Sequence, residues 1–403
     1  MIERPNYLQE LISFKDKELI KIVTGIRRCG KSTLFDLYEE YLLSKGVFKK
    51  QIIRINLEDY EFSNIKTCDD LYNFINLKLL KDKMNYVFID EVQKIDDFQK
   101  AVDGLYIKKN VDLYITGSNS KLLSGELATL LSGRYVEIKM LPLSFKEYIS
   151  YVGESDIERK YVNYITNSSF PYTLKLDSEK EIRMYLDGLY NTVIVNDIAE
   201  RKEISDIGML KDIIKFMFDN VGNLCSSTNI ANTMTSNGRK ISVPTVEKYL
   251  EALVESFVLY KVPRYDIKGK NLLTTGAKYY LSDLGLRYYL LGSKNADEGH
   301  ILENVVYLEL LRRGYEVYIG KYDELEVDFV ARKPENTIYY QVALTTRGEG
   351  DGDNKILDRE LTPLKKINDN YPKYILTLDD DLDADFDGIK KINVLDWLLD
   401  ENA

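Results

Sequence analysis

The chain has 403 residues, of which 44% are hydrophobic and 30% charged, and its formal net charge at pH 7 is −10. This composition is typical of a globular protein of about two to four domains. No apolar run reaches the roughly 20 residues that a membrane-spanning helix needs. The first residues also lack the basic-then-apolar order of a signal peptide, so we expect a cytoplasmic protein without membrane contact.

The cysteine and histidine content restricts the chemistry further. Cys29, Cys68 and Cys225 form no Cys-x-x-Cys pair, which gives no support to a zinc ribbon or a redox motif. A single histidine, His300, leaves no room for a two-histidine metal site, and its isolation argues against Ser-His-Asp catalysis. Hydrolytic chemistry in this chain must therefore depend on carboxylates, lysine, arginine and a metal ion.

The first half of the chain alternates short apolar runs with amphipathic segments. The runs predict strands, and the segments between the first three of them predict helices at 32–45 and 71–80. The predicted strands are 19–24, 51–57, 86–89, 112–116 and 135–140. Such alternation is typical of a doubly wound α/β fold with a parallel sheet. We assign residues 1–200 to this domain, with residues 141–200 as a helical lid.

The pattern changes near residue 201. Three helical segments followed by a hairpin at 258–281 predict a winged-helix-like middle domain over residues 201–294. A last α/β unit over residues 295–403 begins with a helix at 301–313 and continues with strands at 315–319, 326–331, 337–343 and 373–378.

A phosphate-binding motif lies between the first strand and the first helix. Its glycines allow backbone amides to approach phosphate oxygens, and the helix N-terminus adds a favourable dipole. The eight residues, which match Gly-x-x-x-x-Gly-Lys-[Ser/Thr], are Gly25, Ile26, Arg27, Arg28, Cys29, Gly30, Lys31 and Ser32, and Thr33 follows them. We expect Lys31 to reach the β- and γ-phosphates of ATP and the Ser32 hydroxyl to bind Mg²⁺.

Two carboxylates end the third predicted strand. Asp90 suits the acid that holds Mg²⁺ through water, and Glu91 suits the general base that polarises the attacking water. The alternative is an acidic strand end that only caps the next helix. Because both motifs follow strands of one parallel sheet, we favour an ATP–Mg²⁺ site.

Two further residues have open interpretations. Asn119, or Ser118 before it, follows the fourth strand and either orients the attacking water or belongs to a simple turn. Arg134 either supplies positive charge to the transition state or forms a structural ion pair. If Arg134 acts across a subunit interface, the protein is a homo-oligomer.

These motifs, with other short segments, give the chain a family resemblance over essentially its whole length. The segments are Gly117-Ser118-Asn119-Ser120, Leu131-Ser132-Gly133-Arg134, Pro142-Leu143-Ser144-Phe145, Phe170-Pro171-Tyr172 and 278–287. The chain resembles the prokaryotic AAA-type ATPases of the archaeal-ATPase-like kind. Members of that group carry a C-terminal domain of unknown function with a restriction-endonuclease-like, or PD-(D/E)XK-like, fold, and the resemblance implies the same here.

The implied nuclease-like domain has an incomplete set of catalytic residues. Glu303 and Asp328 stand at the positions that would bind a metal ion, and Gln341 stands at an acceptable third position. Ala343, however, replaces the expected lysine, and a methyl group cannot offset phosphate charge. We therefore expect a fold that has lost efficient cleavage, with an active nuclease as the alternative.

The sequence of the middle domain supports two opposite predictions about DNA binding. Acidic residues on the outward face of the third helix, such as Glu247 and Glu251, would repel DNA. Basic residues of the hairpin, such as Lys268 and Lys270, would attract it. The domain therefore either binds DNA through its wing or serves packing and protein contact.

Three functions follow from these assignments. The first is an ATP-hydrolysing switch that changes the conformation of the attached domains. The second is an ATP-gated endonuclease or mobile-element defence factor that acts on DNA. The third is a nucleotide-dependent adaptor that recruits a protein partner.

Overall fold

The computed structural model describes residues 2–120, 131, 133–292, 298–348, 355–381 and 383–400. Ser132 of the motif quoted above lies outside the described residues. Across these ranges, none of the helices combines the length and the apolar character needed to span a bilayer. The chain divides into two compact units. The first comprises the residues up to Pro142 together with Phe170–Tyr172 and Glu255–Phe257, and the remaining residues form the second.

The first unit contains a five-stranded parallel sheet in the order β2–β3–β4–β1–β5. Its strands are β1 (Ile20–Thr24), β2 (Ile52–Asn56), β3 (Asn85–Asp90), β4 (Val111–Gly117) and β5 (Tyr135–Lys139). Its helices are α1 (Pro5–Ser13), α2 (Lys31–Ser44), α3 (Cys68–Lys78) and α4 (Phe98–Tyr106). The predicted α/β class, the parallel sheet and all five predicted strands are confirmed.

The burial of the strands agrees with their order in the sheet. Every residue of β1 and of β3 is buried, as expected for central strands of a parallel sheet that is covered on both faces. Ile22, Val87 and Ile115, from three neighbouring strands, share one hydrophobic core. Because these strands run in the same direction, their carboxyl ends lie at one edge of the sheet, and the predicted site residues follow those ends.

Helices form the first part of the second unit, and further helices follow its strands along the chain. They are α5 (Phe145–Val152), α6 (Ile157–Asn167), α7 (Glu179–Gly188), a π-helical segment (Leu189–Asn196), α8 (Asp197–Arg201), α9 (Ile207–Asp219), α10 (Ser227–Ser236), α11 (Val243–Glu255), α12 (Leu284–Leu291), α13 (Glu298–Arg312), α14 (Lys355–Lys366) and α15 (Val394–Leu399). Helix α13 is buried on every side from Ile301 to Leu310, which makes it the central helix of this unit.

A nine-stranded mixed sheet also belongs to the second unit, in the order β13–β14–β12–β11–β10–β9–β7–β8–β6. Its strands are β6 (Leu224–Cys225), β7 (Leu259–Asp266), β8 (Asn271–Leu281), β9 (Glu316–Tyr322), β10 (Leu325–Lys333), β11 (Asn336–Ala343), β12 (Lys373–Thr377), β13 (Ala384–Phe386) and β14 (Ile389–Asn393). The hairpin of β7 and β8 joins the rest of the sheet because β7 pairs in parallel with β9.

This division differs from the three domains predicted at 1–200, 201–294 and 295–403. Residues 143–169 and 173–200, the predicted lid, group with the second unit rather than with the parallel sheet. The hairpin predicted for the middle domain shares one sheet with the strands predicted for the C-terminal domain. The sequence could not reveal this, since the pairing of β7 with β9 joins segments about fifty residues apart along the chain.

Candidate functional site

The loop between β1 and α2 has the shape of a phosphate-binding loop because glycine occupies both of its ends. A Cβ atom on Gly25 would lie 2.1 Å from the carbonyl oxygen of Met140, which a side chain cannot tolerate. Gly30 has a φ of 107° and immediately precedes the first residue of α2. Both positions therefore require glycine, and the amides at the start of α2 are left for an anion.

Lys31 lies inside this loop. Its Nζ donates hydrogen bonds to the carbonyl oxygens of Gly25 at 3.0 Å and Ile26 at 3.3 Å. The same atom lies 3.6 Å from Oε1 of Glu91. The structure thus brings the lysine of the first motif and the second acid of the other motif into one ion pair.

Thr116, at the end of β4, organises the two acids. Its hydroxyl donates to Oδ1 of Asp90 at 2.8 Å and accepts a hydrogen bond from the backbone N–H of Glu91 at 2.9 Å. Glu91 itself has a left-handed backbone with a φ of 54°, a conformation that is uncommon outside glycine. Sequence reasoning missed Thr116 and looked instead at the residues after it.

Gln93 orients the carboxylate of Glu91. Its Nε2 donates to Oε2 of Glu91 and, at 3.2 Å, to Oγ of Ser118. Burial by itself would raise the pKa of Glu91, but the charge of Lys31 and the bond from Gln93 outweigh burial and lower that pKa below its ordinary value. Glu91 is therefore ionised at neutral pH, as a general base must be.

Arg54 on β2 is a second residue that sequence reasoning missed. One of its terminal nitrogens donates to the carbonyl oxygen of Ser32 at 2.9 Å and to Oδ2 of Asp90 at 3.2 Å. The other lies 2.8 Å from Oδ1 of Asp36. Burial raises the pKa of Asp90, and the charge of Arg54 opposes that rise. A single guanidinium nitrogen thus bridges the start of α2 and the end of β3.

The donor set fits a nucleotide with Mg²⁺. Ser32 is exposed at the first turn of α2, and Arg54 links the backbone carbonyl of Ser32 to the carboxylate of Asp90, so both residues lie beside the loop. Among the residues that the structure describes, no group of three or more His, Cys, Asp or Glu side chains could hold a metal alone. A Mg²⁺ ion held at this point would take further ligands from phosphate oxygens and water.

Three further residues of the first motif differ in what places them: an ion pair, a backbone conformation and burial. Arg27 forms an ion pair with Glu58, and Arg28 has a left-handed backbone with a φ of 69°. Cys29 is fully buried, and burial raises the pKa of its thiol. Cys29 is therefore a packing residue with an inert side chain, and its backbone shapes the loop.

The two residues with open interpretations are placed differently. Asn119 follows β4 and is the neighbour of Ser118, whose hydroxyl accepts a hydrogen bond from Gln93. A catalytic role for Asn119 stays a prediction. Arg134 lies 2.6 Å from Oδ1 of Asp103 and stacks on Tyr106. It precedes the amino end of β5, which pairs with the start of β1, roughly 15 Å from the loop at 3.3 Å per residue.

Arg134 therefore forms the structural ion pair and does not reach the site of its own chain. Within one chain this geometry favours the structural alternative, because the phosphate-binding loop follows the opposite end of β1. A role across a subunit interface, and with it a homo-oligomer, stays a prediction.

A second cluster of charged residues lies in the second unit. Glu303 of α13 and Asp328 of β10 are both buried, and Asp328 sits in a β-bulge between Val327 and Val330. Asp328 Oδ2 accepts a hydrogen bond from the Val342 amide at 2.8 Å. The charge of Glu303 raises the pKa of Asp328, so the two carboxylates that the sequence proposed as metal ligands lie near each other.

Lys278 of β8 places a cation beside these carboxylates, although Ala343 offers none. Its Nζ lies 3.1 Å from Oε2 of Glu303 and 2.9 Å from Oε1 of Glu326. Burial raises the pKa of Asp328 strongly, the neighbouring Glu303 raises it further, and Lys278 opposes the rise. The lysine comes from the hairpin, far from Asp328 along the chain, so no local sequence signal could have identified it.

We nevertheless expect this cluster not to cut DNA. Lys278 is already paired with two carboxylates, and Lys278, Glu303 and Asp328 are each less than a tenth exposed, so a phosphodiester has little access. Supercoiled plasmid incubated with the protein, ATP and Mg²⁺ or Mn²⁺ should remain supercoiled. Nicking that disappears in a Glu303→Ala, Asp328→Ala double variant would contradict this expectation.

The predicted basic wing is partly neutralised. Lys268 Nζ lies 3.2 Å from Oδ1 of Asp323, and both side chains are mostly exposed. Exposed pairs of this kind contribute little to stability, and the acid reduces the local positive charge. Binding of DNA through this hairpin stays a prediction.

Two family models match the chain. A model described as an AAA domain matches residues 17–149, which include β1 to β5 and both nucleotide-site motifs. A model described as a domain of unknown function matches residues 158–297. The expected AAA-type P-loop domain is therefore confirmed, whereas the restriction-endonuclease-like and winged-helix assignments stay predictions.

Similar proteins come from bacteria and archaea. A solved structure titled the Walker-type ATPase PABY2304 of Pyrococcus abyssi is 17% identical, covers 72% of this chain and 96% of its own, and has a TM-score of 0.49. An uncharacterized protein of Haemophilus influenzae is 42% identical over 99% of both chains. The uncharacterized protein MJ1544 of Methanocaldococcus jannaschii is 32% identical over 94% of this chain and 85% of its own. At these identities and coverages, the chain belongs to the same family as the Haemophilus influenzae and Methanocaldococcus jannaschii proteins, with an AAA domain in its N-terminal part.

Proposed function

We propose that this protein binds ATP with Mg²⁺ at the phosphate-binding loop and hydrolyses it. The observation that carries the proposal is the placement of Glu91 at the edge of the loop: Thr116 fixes its backbone, and Lys31 and Gln93 keep its carboxylate ionised. A site that only bound nucleotide would not need a buried, oriented carboxylate at this point.

The residues divide the work as follows. The amides at the start of α2 receive the phosphates, and Lys31 turns from the Gly25 and Ile26 carbonyls towards the β- and γ-phosphates. Ser32 and Asp90 would hold Mg²⁺, and the ion would neutralise negative charge on the phosphate oxygens. Glu91 accepts a proton from the attacking water, and Gln93 keeps the carboxylate directed at that water.

We also propose that hydrolysis changes the conformation of the second unit. The basis is the segment 168–172. Phe170–Tyr172 groups with the first unit, where a Cβ on Gly30 would lie 3.7 Å from Cγ of Pro171. Ser169, the preceding residue, belongs to the second unit and donates two hydrogen bonds to Asp283 there. A displacement of Pro171 would therefore act directly on a residue that anchors α12.

Replacement of Lys31 tests ATP binding. Lys31→Ala should weaken ATP binding about 10- to 100-fold, because it removes a charged donor to the phosphates. Isothermal titration calorimetry with Mg²⁺ measures this affinity. Lys45→Ala, which removes an exposed lysine after the other end of α2, should bind like the wild type. A Lys31→Ala protein with wild-type affinity would refute the proposed site.

A further inference from the structure

A buried arginine near the start of the chain contacts the back of the phosphate-binding loop. Arg4 is only 2% exposed. One terminal nitrogen donates to the carbonyl oxygen of Cys29 at 3.0 Å, and the other donates to the carbonyl oxygens of Leu141 at 2.7 Å and Pro142 at 3.5 Å. All of these residues belong to the first unit, so the contacts lie within one compact body.

Arg4 contacts the carbonyl oxygens of Leu141 and Pro142, and the segment 140–142 packs against the phosphate-binding loop. Met140 places its carbonyl oxygen where a Cβ of Gly25 would be and its methyl group 3.4 Å from the Cβ position of Gly30. The amide of the next residue, Leu141, donates to the Tyr7 hydroxyl at 3.1 Å. Arg4 and Tyr7 together hold both polar backbone groups of Leu141, and Arg4 links them to the loop.

The loop can receive phosphates only if its carbonyl groups point away from them. In the structure two kinds of cation hold these carbonyls: Lys31 contacts those of Gly25 and Ile26, and Arg4 contacts that of Cys29. Under the proposed function Lys31 must leave its carbonyls when it turns to the phosphates. Arg4 is buried behind the loop and keeps its contact.

We propose that Arg4 is a positioning residue of the nucleotide site, which keeps the phosphate-binding loop in its binding shape while Lys31 moves to the phosphates. The inference rests on the proposed ATP binding at this loop. Arg4 is also close enough to act on the loop electrostatically. Burial raises the pKa of the Cys29 thiol, and the positive charge of Arg4 opposes this increase. A buried cation here adds to the attraction for a polyphosphate.

The test compares Arg4→Gln, Arg4→Lys, Tyr7→Phe and the wild type by titration calorimetry with ATP and with ADP. Arg4→Gln should weaken the binding of both nucleotides about tenfold, the loss expected for a hydrogen bond made by a charged group. Arg4→Lys keeps the charge but cannot hold Cys29 and Leu141 together, so its affinity should be intermediate. Tyr7→Phe removes the hydrogen bond to the Leu141 amide while Arg4 keeps its contact with Cys29, so the affinity should fall less than in Arg4→Gln.

The titration separates positioning from mere stability. If Arg4 only stabilised the fold, its loss would lower the melting temperature and the number of binding sites per chain, while the dissociation constant of the folded fraction stayed unchanged. If Arg4→Gln does not fold, Arg4→Lys decides the question. A folded Arg4→Gln or Arg4→Lys protein with the wild-type dissociation constant would overturn the inference and leave the proposed function intact. A wild-type chain that binds no ATP would overturn both.

Discussion

Glu91→Gln should bind ATP and hydrolyse it about 10²- to 10⁴-fold more slowly than the wild type, which is the usual contribution of a general base. Glutamine has nearly the same shape as glutamate, and its carbonyl oxygen can still accept the hydrogen bond from Gln93. The amide has lost the negative charge 3.6 Å from Lys31, however, and cannot accept a proton from water. Binding and chemistry should therefore separate in this variant.

A single-turnover experiment measures this separation. Protein in excess over labelled ATP, separated from free nucleotide by rapid filtration, should retain intact ATP in Glu91→Gln and ADP in the wild type. Glu61→Gln, which changes an exposed acid of the same unit, serves as the control and should behave like the wild type. Hydrolysis at the wild-type rate in Glu91→Gln would assign the base to another residue.

The pH dependence follows from the direction of the shift. Because the pKa of Glu91 is lowered by Lys31 and Gln93, its carboxylate form persists through the neutral range and into mild acid. The kcat/KM for ATP hydrolysis, which reports ionisation of the free protein, should therefore not decline on the acidic side until the pH falls into the range where this carboxylate gains a proton. A decline centred near neutrality would point to a different group.

The part of the fold that sequence predicts best is the parallel sheet. Its strands are continuous apolar runs because helices and neighbouring strands bury them on both faces, and such runs can be read without tertiary information. Strands β13 and β14 were missed for the opposite reason. β14 alternates buried and exposed residues around Lys390 and is only five residues long, so it has little apolar signal.

The residues of the candidate site also differ in whether local sequence or tertiary contacts identify them. Lys31, Asp90 and Glu91 are recognisable because each belongs to a short motif near the carboxyl end of a strand, in a local pattern that phosphate binding requires. Thr116, Gln93 and Arg54 act through contacts between separate strands, and only the paired sheet reveals that they meet. Lys278 is the extreme case, since its position opposite Glu303 depends on β8, which lies outside the C-terminal segment where the missing lysine was sought.

Substitution of Gly285 should have the second large effect, in this case on the free energy of unfolding. It lies in the first turn of α12, where a Cβ would be 2.4 Å from the backbone nitrogen and the Cα of Ser168. Hydrogen bonds from Ser168 and Ser169 to Asp283 also hold these two segments close together. Asp283, the residue that caps α12, accepts hydrogen bonds at 2.7 Å from the Ser169 amide and at 3.0 Å from the Ser168 hydroxyl. The neighbouring backbone therefore cannot yield without breaking a buried network.

Gly285→Ala should lower the free energy of unfolding by at least about 1–3 kcal/mol, the usual cost of overpacking. Urea unfolding followed by circular dichroism measures the change. The matched control is Gly299→Ala in the first turn of α13, where an added Cβ meets nothing within 4 Å, and its stability should stay at or slightly above that of the wild type. Equal stability of the two variants would show that α12 and Ser168 do not pack as closely as described. If Gly285→Ala also lowers ATP hydrolysis while ATP still binds, the loss would connect the anchoring of residues 168–172 to turnover, as the proposed conformational change requires.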